Sequence, residues 1–193
     1  MNSMNLNYPA PQRIRPSTLP GDRISRRKME RIIRVDHAGE LGAKAIYVGQ
    51  MSVLKDQPSA TLLKDMEQQE SEHLKYFEKL LTEKGVRPSA LSPLWRRMGY
   101  VIGAGSALVG ERAAMAVTLA VEDVIEEHYQ YQLEQLGNDE QELRTTIFEF
   151  RQDELHHRDT ALKNNAEKAP AYKLLNQSVT TGTKLAIWLA KRI

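Results

Sequence analysis

The stretch Leu143-Arg-Thr-Thr-Ile147-Phe-Glu-Phe150-Arg-Gln-Asp153-Glu154-Leu-His156-His157-Arg-Asp-Thr-Ala161 decides the fold. Leu143, Ile147, Phe150, Glu154, His157 and Ala161 recur at three-and-four spacing, the signature of one face of an α-helix. A carboxylate and an imidazole thus sit inside an otherwise apolar stripe. A buried charge is tolerated only when it is paired or bound to a metal. Glu154 and His157 are almost one helical turn apart, so their side chains point the same way. His156 lies across the helix from Glu154 and reads as exposed.

The same arrangement occurs earlier, where Met66, Glu70, His73, Phe77 and Leu80 share a face of a helix ending near Lys84, before Gly85 and Pro88. Each Glu-x-x-His helix is preceded by one carrying a single core-position Glu. Ile33, Asp36, Glu40, Ala43, Tyr47, Gln50 and Leu54 form one stripe, from the N-cap Ser25 to about Lys55. Met115, Thr118, Glu122, Ile125, Tyr129 and Leu133 form the other, from about Arg112 to Leu136. Glu40 precedes Glu70 by 30 residues (70 − 40) and Glu122 precedes Glu154 by 32 (154 − 122), so the chain is an internal repeat of two helical hairpins. Gly137-Asn138-Asp139 ends the helix of Glu122 and caps the helix of Glu154.

Packed together, the hairpins bring Glu40, Glu70, His73, Glu122, Glu154 and His157 to the centre of a four-helix bundle, the di-iron or di-manganese inventory of ferritin-like proteins. With no cysteine in 193 residues, disulfides, iron–sulfur clusters and zinc ribbons are excluded, leaving oxygen and nitrogen ligands suited to iron or manganese. The predicted fold is all-α: a ferritin-like four-helix bundle (25–193) with an additional interfacial helix and a C-terminal helix beginning near Pro170. Residues 1–24, with Pro9, Pro11, Pro16 and Pro20, read as an irregular N-terminal arm. The net charge of +2 argues against a nucleic-acid binder. Basic residues crowd the N-terminal stretch from Arg13 to Arg34, a solvated face or one that meets anionic lipid or an acidic partner. A signal-peptide core is not evident, so the chain reads as intracellular.

Around the six candidates stand several neighbours. Asp153 either accepts a hydrogen bond from a ligand histidine or is a simple surface carboxylate. His37, three residues before Glu40, is either a supporting donor or a partly buried histidine with its own partner. Tyr129, two turns beyond Glu122, lines a pocket or belongs to the core. Glu126 reads as solvated. Three functions fit at this point: an O2-dependent enzyme, a ferritin- or rubrerythrin-like iron oxidase or peroxide scavenger, and a non-enzymatic lipid- or protein-binding module.

From Arg34 onward the chain resembles the demethoxyubiquinone hydroxylases, the di-iron monooxygenases of ubiquinone biosynthesis. The resemblance rests on Arg34-Val-Asp-His-Ala-Gly-Glu40, Gln69-Glu-Ser-Glu-His73, Pro93-Leu-Trp95, Gly103-Ala-Gly-Ser-Ala-Leu108, Ala120-Val-Glu122, His128-Tyr129, Asp153-Glu-Leu-His-His157 and Ala169-Pro-Ala-Tyr172. It implies that the six residues bind two iron ions, and that His128 and Tyr129 stand beside the quinone and the electron path. It further implies hydroxylation of a demethoxyquinone bearing a polyprenyl tail, with O2 consumed and NADH as electron donor. Glu126 departs from the small residue expected there. Without a Gly-x-Gly-x-x-Gly after a strand, no Rossmann-type nicotinamide site is expected.

Such a substrate resides in the bilayer. The segment from Leu91 to Val109 is apolar, flanked by Arg96, Arg97 and Arg112, and too short to span. It is predicted to lie in the interface with Trp95 and Tyr100 at headgroup level, while Gly99 and Gly103 permit close helix contact. This implies a peripheral protein on the cytoplasmic face of a bacterial inner membrane or the matrix face of a mitochondrial one. A homo-oligomer or a lipid-binding partner protein also fits that surface.

Overall fold

The computed structural model describes residues 25–136 and 140–193. The expected N-terminal arm, its arginines and the Gly137–Asp139 cap lie outside them. Among the described residues six α-helices form, here α1 (Arg26–Leu54), α2 (Ala60–Lys84), α3 (Ser92–Val109), α4 (Glu111–Gln135), α5 (Gln141–Lys163) and α6 (Tyr172–Ala190). There is no strand among the described residues.

Local chemistry sets the boundaries. Ser25 accepts a hydrogen bond from the Lys28 amide at the start of α1, satisfying a donor the helix cannot. Gly85 ends α2 in the left-handed region at φ 63°. Every residue of the α1, α2 and α4 stripes is buried, as are those of α5 except the half-buried Phe150. Hairpins α1–α2 and α4–α5 form the four-helix bundle, its core filled by residues such as Ile33, Phe77, Val121 and Ile147.

Helix α3 lies against α1, and glycine makes the approach possible. A Cβ on Gly99 would stand 2.5 Å from the Gly42 carbonyl oxygen, and one on Gly103 would overlap the Ile46 carbonyl. The close contact predicted at these glycines is therefore present, with α1 as the partner. Trp95 corrects the expectation of a headgroup-level indole: it is buried beside Val35, Ala38 and Ala190. The helix turns its bulky indole to the same side as Gly99 and Gly103, toward α1. The large hydrophobic residues that α3 exposes are instead Leu94, Met98, Tyr100, Val101, Ile102, Leu108 and Val109, and α6 exposes Leu174, Leu185 and Trp188. No helix among the described residues is long and apolar enough to cross a membrane.

Candidate metal centre

Helices α1, α2, α4 and α5 bring all six predicted residues to one interior point. Two ligand groups form, Glu40–Glu70–His73–Glu154 and Glu70–Glu122–Glu154–His157, each offering atoms within 4.8 Å of one another. Glu70 and Glu154 belong to both. His73 Nδ1 lies 3.4 Å from Glu40 and 3.4 Å from Glu154, while His157 Nδ1 lies 3.3 Å from Glu70 and 3.4 Å from Glu154.

The donor atoms fit a metal pair. All six side chains are at most 2% exposed. Both oxygens of Glu70 and of Glu154, one oxygen each of Glu40 and Glu122, and both histidine Nδ1 atoms have no hydrogen-bond partner. Unpartnered buried polar atoms are rare in folded proteins. Eight of them converging, with no sulfur among them, match the ligand demand of two carboxylate-bound cations.

Electrostatics carries the same strain. Burial and the neighbouring Glu154 push the Glu70 and Glu122 carboxyls well above the usual range. Burial acts on Glu154 too, but His157 and His73 outweigh it and hold that carboxyl at about 2. Both histidines are raised despite burial, His73 by Asp153, Glu154 and Glu40, and His157 by Glu154 and Glu122.

The surrounding residues repeat under an approximate twofold relation. Tyr47 of α1 donates to Glu122 of α4 at 2.6 Å, and Tyr129 of α4 donates to Glu40 of α1. Gln50 donates to the Ala114 carbonyl at 3.0 Å, and Gln132 to Asp36 at 2.5 Å. His73 Nε2–H donates to Asp153 at 3.1 Å, and His157 Nε2–H to Gln69 at 2.9 Å. Asp153 was legible in the sequence as a histidine's partner, although the histidine comes from the other motif. Tyr47 and Gln69 had not been singled out as supports; the repeat itself flags them, since they align with Tyr129 and Asp153.

Other neighbours differ from expectation. Glu126 is not solvated: Arg151 of α5 holds its Oε1 at 2.5 and 2.7 Å. His37 is buried with Nδ1 unpartnered, and burial lowers its pKa. His156 is exposed.

A cavity of about 490 Å³ reaches this centre, with Glu40, His128 and Tyr129 in its wall. Leu94, Met98 and Ile102 of α3 and Leu185 of α6 line it as well and are solvent-exposed, so its mouth opens between those helices. Burial and Lys191 depress the His128 imidazole to about 4, and Gln132 approaches its Nε2 at 2.9 Å.

The family model described as "Ubiquinone biosynthesis protein COQ7" matches residues 27–190. The chain belongs to the COQ7 family. A relative from Dictyostelium discoideum, named NADPH-dependent 3-demethoxyubiquinone 3-hydroxylase, mitochondrial, is 49% identical over 180 residues, covering 92% of this chain and 83% of the relative. The 3-demethoxyubiquinol 3-hydroxylase of Rhodospirillum rubrum is 46% identical over 176 residues, covering 91% and 83%. The Homo sapiens protein with the same name as the Dictyostelium one is 44% identical over 185 residues, covering 94% and 85%. These COQ7 relatives are hydroxylases by name, bacterial and mitochondrial, in agreement with the enzyme reading of the sequence.

Proposed function

We propose that this chain hydroxylates the ring of a demethoxyquinone carrying a polyprenyl tail, with O2 as oxidant. Its centre would be two iron ions held by Glu40, Glu70, His73, Glu122, Glu154 and His157. One observation carries the reading: an apolar cavity runs from the exposed α3–α6 surface to the wall formed by Glu40 and Tyr129. Its volume lies in the range of small-molecule pockets, enough for a substituted quinone head, with the tail left outside.

When bound, a carboxylate-bridged iron pair supplies two-electron activation of O2. The chain supplies the rest. Glu70 and Glu154 belong to both ligand groups and would help to hold both ions. Burial and Glu40 raise the Tyr129 phenol well above its usual value, so it stays protonated and orients Glu40 as a hydrogen-bond donor. His128, neutral and accepting from Gln132 on Nε2, keeps its Nδ1–H to meet a quinone oxygen. The apolar wall excludes water from the reacting ring.

Exposed Met98, Val101, Ile102, Leu108 and Val109, with Arg96, Arg97 and Arg112 exposed nearby, suit a face seated at the headgroup boundary of an anionic bilayer. A membrane-resident quinone would enter there, which supports a peripheral protein on the cytoplasmic or matrix face. Electrons come from a reduced nicotinamide. The family resemblance implies NADH, and the names of the Dictyostelium discoideum and Homo sapiens relatives specify NADPH.

Turnover of a short-tailed demethoxyquinone with NADH or NADPH under 18O2 tests this reading. A product heavier by one labelled oxygen is expected. Nicotinamide oxidation without quinone oxygenation, or accumulation of iron mineral, would refute it.

A further inference from the structure

The twofold relation fails at one pair of positions in a way that distinguishes the two halves of the centre. His73 Nε2–H donates to the carboxylate of Asp153 at 3.1 Å, whereas His157 Nε2–H donates to the side-chain amide oxygen of Gln69 at 2.9 Å. A charged acceptor makes a hydrogen bond roughly twice as strong as a neutral one. It also makes the opposite ring nitrogen a better electron donor to a bound cation.

Most other polar surroundings are balanced; the rings differ, His73 stacking on Phe150 at 3.8 Å and His157 meeting Tyr47 edge-on at 5.9 Å. Each half has a tyrosine hydroxyl on its single-Glu helix, Tyr129 on Glu40 and Tyr47 on Glu122. Glu70 and Glu154 are common to both ligand groups. Each histidine Nδ1 stands 3.4 Å from Glu154. Asp36 is the other acid near the Glu40 half, aligned with Thr118 in the repeat, but burial pushes its carboxyl well up and Gln132 occupies one oxygen. It therefore adds little negative charge.

From this asymmetry we infer that the two metal positions are unequal. The position closed by Glu40 and His73 is the tighter, and Asp153 is the positioning residue that makes it so. The inference rests on the two-metal reading above. It has a spatial consequence: of the six ligand candidates the cavity wall includes Glu40 alone, so substrate would abut the Glu40 side of the centre.

Anaerobic titration of the full chain with Co(II), followed by calorimetry and visible absorption, tests the inference without turnover. The wild-type chain is expected to bind two cobalt ions in two steps separated by at least about tenfold in affinity. Asp153→Asn should weaken the first step about tenfold or more and merge the two, and Asp153→Glu should restore the separation. Gln69→Glu should tighten the second step, which keeps the test decisive if Asp153→Asn proves poorly folded by circular dichroism. A wild-type titration with two equivalent sites overturns the inference while leaving the metal centre standing. So does an Asp153→Asn chain whose steps stay apart. Absence of cobalt binding would overturn the metal reading itself, and this inference with it.

Discussion

Tyr47 on α1 donates its hydroxyl hydrogen to Glu122 on α4 at 2.6 Å, and Tyr129 on α4 returns the same bond to Glu40 on α1. The two hairpins are thus cross-tied at the carboxylates proposed to hold metal. Only Tyr129 also faces the cavity. Replacing either by Phe leaves a buried carboxylate oxygen without its donor, at a cost of about 1–3 kcal/mol. Denaturant melts should show similar losses for Tyr47→Phe and Tyr129→Phe. Steady-state kinetics should separate them, with kcat/KM for the quinone falling further in Tyr129→Phe.

Helix α3 is held to α1 by the absence of side chains at Gly99 and Gly103. An added methyl at Gly103 meets the Ile46 backbone, which cannot swing aside as a flexible side chain would. Gly103→Ala should therefore destabilise the protein by about 1–3 kcal/mol, an overpacking cost. Gly105, whose Cβ would meet nothing within 4 Å, is the control: Gly105→Ala should be neutral or slightly stabilising in thermal melts.

The helices and the six ligand candidates were legible because α-helical period and buried charge leave independent marks in sequence. Glu40, Glu70, Glu122 and Glu154 stand where their stripes require apolar residues, and only a shared partner makes that consistent. Trp95 was misjudged for the opposite reason. An interfacial helix and a helix packed on a neighbour through glycines share one composition, and sequence does not say which side the indole takes. Glu126 was read as solvated because its partner Arg151 lies on another helix, a pairing that no local spacing encodes. The cavity was invisible as well, since α3 and α6 are far apart in sequence.

His128 gives the fold an acid-sensitive group. Its imidazole is held at about 4 by burial and by Lys191, against an unfolded value of about 6.5. Above pH 6.5 both states are neutral and the residue contributes no pH dependence. As pH falls from 6.5 toward 4 the unfolded chain takes up a proton that the folded chain refuses, so stability declines, by up to about 3 kcal/mol. Urea melts at pH 7 and pH 4.5 should show a smaller acid loss in His128→Gln than in wild type. Equal losses would mean that His128 is not the group responsible.

The exposed face of α3 is expected to seat the protein on anionic bilayers. Met98→Asp with Val101→Asp should reduce co-sedimentation with phosphatidylglycerol-containing vesicles several-fold. Turnover of a detergent-solubilised short-tailed quinone should change much less, because Met98 lies at the cavity's exposed mouth and Val101 lies outside its lining. Equal vesicle binding by variant and wild type would move the docking surface elsewhere.

The most direct test of the account is the iron content of the purified chain after anaerobic reconstitution, compared with that of His157→Ala, Glu154→Ala and the exposed-site control His156→Ala. The arrangement of six ligands predicts about two irons per chain for wild type and for His156→Ala. It predicts a clear loss of iron for the other two, with helicity retained and metal-free stability lowered, because each leaves a buried partner of the Glu154–His157 pair uncompensated. Less than about one iron per wild-type chain, or full iron content in His157→Ala, would contradict the assignment of these residues to a di-iron centre.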